Sequence, residues 1–124
     1  VAEWTAQCLG VRGRTAYVQW GGRIGIYGLT DAGPPLPINE FVNVDPRFTV
    51  SDRWLVSWGQ EAPPYRLTIV DVANKSNPLQ LSRTIYSGSA YTHQGWLNED
   101  QSVFFFNDVT KIDADPKFHP LIFW

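Results

Sequence analysis

The sequence predicts an all-β fold of β-propeller-like blades, each made of short antiparallel strands, and three observations predict it. Helical periodicity is nearly absent. Ten glycines and nine prolines punctuate short stretches rich in Val, Ile, Tyr, Phe and Trp, many of them alternating, which is the pattern of successive strands joined by turns. The third observation is an internal repeat of about 43 residues, the size of one four-stranded blade.

The elements follow in order. "RTAYVQW" (14–20) and "RIGIYGL" (23–29) read as strands joined at Gly21 and Gly22, a pair that permits the positive φ of a tight hairpin. "RWLVSW" (53–58) and "YRLTIVDV" (65–72) read as a second hairpin with a longer loop, "EAPPY". "LQLSRTIY" (79–86) and "SVFFFND" (102–108) continue the series, and "PLIFW" is a candidate for the next strand. The repeat places Ile26 on Ile69, Leu29 on Val72, Pro35 on Pro78 and Leu36 on Leu79, all 43 residues apart. One strand earlier it places Trp20 on Trp58 at a spacing of 38, with the longer "EAPPY" loop absorbing the difference.

The repeat units expected are 11–48, 49–88 and 89–124, within a single all-β domain or fragment over 1–124. That is about two and a half blades, whereas a closed propeller typically has four to eight. The expectation is therefore a piece of a longer propeller or a protomer that completes its sheets with neighbours. A small β-sandwich of the same strands is the alternative. The start at Val1 and the lack of Met hint at a processed or partial chain.

Bulk properties narrow the function. A net charge of −2 with scattered basic residues does not suit nucleic-acid binding, which needs a clustered basic face. No apolar run approaches the roughly 20 residues of a membrane-spanning helix. Cys8 is the one cysteine, so no internal disulfide or Cys-rich zinc site is expected, and the thiol reads as a small buried hydrophobe.

The stretch "LTIVDVANKSNPLQLSRTIYSGSAYTHQGWLNEDQSVFFFND" (67–108) resembles the LVIVD-repeat proteins of the choice-of-anchor B type. Their pattern is a strand ending in "IVDV", a polar turn ending in "NP", then "YTHQGWL-ED" and an aromatic strand ending in Asp. The chain departs from it at Asn98, at Asn74 where an acid is usual, and after Asp108, where "VTKIDADPKF" follows. The resemblance implies a propeller-like, extracellular or cell-surface protein. It carries over no catalytic residue.

Several residues are candidates for chemistry. His93 lies in "YTHQGW"; a neutral imidazole is a potential base or metal ligand, but there is no G-x-S-x-G elbow to supply a nucleophile, and a histidine bonded to backbone between blades is the commoner case. Trp20, Trp58 and Trp96 read as packing rings or, if exposed, as platforms for sugars. Asp100, Asp113 and Asp115 fall in oxygen-rich turns, "NED" and "DADP", which makes calcium a candidate ligand. None has the spacing of a complete calcium loop, and Asx-Pro segments such as "DADP" and "NVDP" are ordinary turn starters. "NKS" at Asn74 is a sequon for N-glycosylation in a predicted turn.

The expected function is a non-enzymatic structural or interaction protein at the cell surface or outside the cell. It would assemble with copies of itself or another chain through sheet edges, as an oligomer or a filament. A lectin-like, glycan-binding module using exposed Trp20, Trp58 and Trp96 is the alternative, with His93 a further ligand-binding candidate. A hydrolase or metal-dependent enzyme centred on His93 ranks third. No cofactor is expected beyond the calcium candidate.

Overall fold

The computed structural model describes residues 8–42, 45, 47–59, 66–85, 92–108 and 121–123; for 92–94, 107–108 and 121–123 only the backbone is described. The described chain is all-β, in three antiparallel sheets of short strands. The first sheet is a meander of β1 (Cys8–Arg12), β2 (Thr15–Trp20), β3 (Arg23–Gly28) and β4 (Leu36–Val42). The second repeats it with β5 (Arg47–Val50), β6 (Trp54–Trp58), β7 (Leu67–Asp71) and β8 (Leu79–Thr84). The third holds β9 (Thr92–Leu97), β10 (Phe104–Asp108) and β11 (Leu121–Phe123) in the order β11-β10-β9.

Local chemistry sets the strands and their turns. Gly21 and Gly22 have φ of 52° and 78°, so both central residues of the β2–β3 hairpin are left-handed, as a type I′ turn needs. Pro35 and Pro78 immediately precede the outer strands β4 and β8. Each outer strand bulges at the same place, between Ile26/Tyr27 in the first sheet and Ile69/Val70 in the second. Between β9 and β10, Gln101 takes a left-handed φ of 62°.

The strand pairing fixes the repeat more finely than the letters do. Leu29 N–H donates to Arg14 O at 2.8 Å, and Val72 N–H donates to Arg53 O at 2.7 Å. These bonds are equivalent, so β3 maps on β7 at a spacing of 43 but β2 maps on β6 at 39. Gln19, not Trp20, is thus the partner of Trp58, and the expected Trp20–Trp58 equivalence is incorrect. A one-residue slip moves a side chain to the opposite face of a strand, and the two tryptophans do face opposite ways.

The sheets pack face to face in sequence order, with the inner strands β1, β5 and β9 next to one another. The back of the first sheet (Tyr17, Ile24, Ile26) meets the front of the second (Phe48, Leu55, Val70, Val72). The back of the second (Val56, Trp58, Leu67) meets the front of the third (Leu97, Phe104, Phe106). Full burial of each such aliphatic or aromatic side chain contributes about 1.5–3 kcal/mol. Gly10 allows the inner strands to touch: a Cβ there would lie 2.9 Å from Phe48 and Val50. Three polar ties join the sheets at the turn end. Arg12 pairs with Asp52 at 2.8 Å, Asn39 Nδ2 donates to Ser76 O at 2.8 Å, and Ser51 Oγ donates to Gln101 Oε1 at 2.8 Å.

The "THQGW" stretch, read from sequence as a crossover between blades, forms most of β9, the inner strand of the third sheet. The "EAPPY" loop lies outside the described residues, as do Asp113 and Asp115.

Candidate functional site

Alternation along β6 and β7 sends Trp54, Val56, Leu67 and Ile69 to the back of the second sheet, while Leu97 and Phe104 project from the front of the third. Trp58, Leu67 and Phe104 close one end of this seam; at the turn end the two faces part around a cavity of about 270 Å³. Gln101 and Ser102 supply polar groups at its border, and Leu81 of the outer strand forms another wall. The Arg53 guanidinium lies 4.5 Å from the centre of the Trp54 ring and pairs with Asp71 at 3.0 Å, which holds the indole in place. Among the described residues the lining has no ionisable side chain, and it offers shape and apolar contact. Its volume is slightly below that of pockets for drug-sized ligands.

A second polar feature is fully inside. Ser57 and Thr68 are directly opposed and face the first sheet. Thr68 Oγ1 donates to Asp45 Oδ2 at 3.1 Å. Burial pushes the Asp45 carboxyl above its ordinary range, against the opposing pull of the Thr68 bond and of Arg83 and Arg66. Gln19 Oε1, Ser57 Oγ, Tyr17 Oη and Trp58 Nε1 are buried without a hydrogen-bond partner among the described residues. Burial also pushes the Tyr17 phenol up to about 12, helped by the charge of Asp52. The sequence marked "NVDP" only as a turn; that Asp45 is buried depends on a tertiary contact across 23 residues.

The residues singled out from sequence are dispersed. Trp20 is half-buried on the front of the first sheet, 6.4 Å from the Tyr27 ring and over Gly25. Trp58 is 5% exposed, with its ring 5.5 Å from Phe104; it is a core ring and offers no face to a sugar. Trp96 is 55% exposed and stacks on Phe105 at 6.3 Å. His93 lies in β9, with its side chain outside the described residues. Gly95, before Trp96, leaves room for the Phe104 ring.

Asp100 caps its own turn, accepting bonds from the Ser102 N–H at 3.0 Å, the Ser102 hydroxyl and Asn98 Nδ2. Those bonds, the Ser102 ones foremost, hold its carboxyl below the usual range. Among the described residues no three His, Cys, Asp or Glu side chains gather as a metal site. Asn74 is exposed in the β7–β8 turn, where its Oδ1 accepts from the Ser76 N–H at 3.1 Å. Cys8 is half-buried against the first core, its thiol near Phe48 O. No described helix is long and apolar enough to cross a membrane. No family model matches the chain, and no curated protein matches it.

Proposed function

We propose that this chain is a non-enzymatic assembly and interaction module that works at the cell surface or outside the cell. One observation carries the association: large apolar side chains stand exposed in rows. Leu9 and Val11 lie on one inner strand; Leu36, Ile38, Val42, Leu79 and Leu81 lie along the two outer ones. Scattered exposed leucines are ordinary, but contiguous apolar rows mark association surfaces. The surface location is supported by the likeness of 67–108 to the LVIVD-repeat pattern and by the exposed sequon at Asn74. Sedimentation velocity over a concentration series tests the association. A mass that rises with concentration supports it; a monomer throughout, with no retained protein partner, counts against it.

A second reading has one observation in its favour. The exposed Trp96 ring, backed by Phe105, has the form of a platform for the apolar face of a sugar. Titration with a glycan panel, read by tryptophan emission in the chain and in Trp96→Ala, separates this from simple exposure. A response that survives the substitution would remove Trp96 from consideration.

A further inference from the structure

The cavity between the second and third sheets has a border residue that packing does not require. Among the described residues Gln101 is the one non-glycine with a left-handed φ, 62°, a conformation that is costly for a residue with a side chain. Its N–H donates to Asn98 O at 3.0 Å, so Gln101 ends the tight turn between β9 and β10, a loop position that favours glycine. Glycine would hold this backbone without strain. Glutamine keeps the strain and gains a side chain at the edge of the cavity, the kind of exchange found where a side chain has a task.

That side chain is anchored at one end. Ser51 Oγ donates to Gln101 Oε1 at 2.8 Å, and Ser51 Oγ in turn accepts from the Trp54 N–H at 3.0 Å. The carbonyl end of the amide is thus fixed, and Gln101 Nε2 has no hydrogen-bond partner among the described residues. The neighbouring Ser102 hydroxyl is already committed to Asp100 and Asn98. One open amide donor therefore stands beside an apolar wall that includes Trp54, Ile69, Leu81 and Phe104. We propose that this cavity binds a small, uncharged molecule with a flat apolar body and a single hydrogen-bond acceptor, of which an aryl ketone is the simplest case. Its rings lie between the two sheets and its oxygen accepts from Gln101 Nε2.

Size, shape and charge select that class. An apolar cavity of about 150 Å³ accepts benzene, so about 270 Å³ gives room for two fused rings. A space opened between two facing sheets is a slot, which suits a flat body. A charged ligand would give up its hydration to a lining that, among the described residues, has no ion to pair with it, and that loss is costly. The walls are already in place: Val56 and Phe104 are 2% and 4% exposed, and Arg53 holds the Trp54 ring. Leu81, exposed on β8, marks the side open to solvent. The proposal is independent of the association reading above, because the described lining residues all belong to one chain.

The test titrates the folded chain with 2-acetylnaphthalene and follows amide and methyl resonances by NMR. 2-Isopropenylnaphthalene has the same shape without the acceptor, and 2-naphthoate has a charge in its place. Two variants complete the test, each verified as folded by circular dichroism: Leu81→Trp, which fills the mouth from an exposed position, and Gln101→Gly. The ketone should give saturable shifts at Ile69, Leu81, Leu97 and the Gln101 side-chain amide. It should bind about 5-fold or more tighter than the hydrocarbon, and naphthoate should not bind. Leu81→Trp should abolish the response. Gln101→Gly should bring the ketone down to the level of the hydrocarbon and leave the hydrocarbon unchanged. No saturable binding of either neutral probe, shifts that map away from these residues, or an undiminished response in Leu81→Trp overturns the site. Equal affinity of the ketone and the hydrocarbon for the parent chain overturns the role of Gln101, and binding of naphthoate as tight as that of the ketone overturns the uncharged class.

Discussion

Trp58 and Phe104 lie with ring centres 5.5 Å apart and planes tilted by 41°, and this pair closes the seam between the second and third sheets. Tilted rings at that distance gain about 0.5–1.5 kcal/mol beyond their buried area. Trp58→Ala should therefore cost about 3–5 kcal/mol, measured by urea unfolding. Trp58→Phe should cost less, because it keeps a ring against Phe104 and removes a buried indole N–H that has no partner among the described residues.

The Gly10 contact yields a paired prediction. Gly10→Ala places a methyl 2.9 Å from Phe48 and Val50 and should destabilise by about 1–3 kcal/mol through overpacking. Phe48→Leu alone should also destabilise. Combined, the two should lose less than the sum of the single losses. Strict additivity in this double-mutant cycle would mean that the contact does not limit the packing.

Ser57 and Thr68 stand opposite each other but should respond oppositely. Ser57→Ala removes a buried hydroxyl with no partner among the described residues, so it should be neutral or slightly stabilising. Thr68→Val removes the donor to buried Asp45 and should cost about 1–3 kcal/mol. Thermal unfolding of both, at a pH near neutral, is the comparison needed.

The raised Asp45 carboxyl sets a pH dependence. The folded chain holds this proton more tightly than the unfolded chain, so the contribution is fully present below the unfolded carboxyl range. It is lost as pH rises from that range through the folded one. Asp52, Asp71 and Asp100 act in the opposite direction: their lowered values add stability above the ordinary range that disappears as pH falls through the folded ones. Asp45→Asn should remove the first effect alone, so the variant should gain on the parent as pH rises through the window. Urea midpoints across mildly acid pH give the slope.

Tyr17 gives the alkaline counterpart. Its phenol, at about 12 in the folded chain, makes stability fall as pH rises from the ordinary tyrosine range, about 10, toward 12. Tyr17→Phe should be less sensitive to alkali over that range, and ultraviolet titration should show one tyrosine fewer ionising late.

Much of the fold was legible because strands advertise themselves locally. The alternation in "RTAYVQW", "RWLVSW" and "SVFFFND" and the Gly21–Gly22 pair lead to β2, β6, β10 and the first hairpin within a residue or two. The inner strands β1 and β5 were silent, because "CLGVR" and "RFTV" are short and gain their order by packing on one another through Gly10. The facing of the tryptophans was beyond the letters: a spacing of 38 and one of 39 look alike in sequence, and the hydrogen bonds of Leu29 and Val72 decide between them. The cavity beside Trp54 and the burial of Asp45 arise between sheets, where sequence neighbours carry no signal.

Gly10 has one more consequence. It lets β1 and β5 approach closely, while Asn39 of β4 bonds Ser76 of the second sheet and Phe41 of β4 packs against the first core. A graded series of side chains at residue 10 would widen the gap between β1 and β5 step by step, and with it change the angle between the first two sheets. The approach of the first two sheets is set, in part, by the absence of one methyl group.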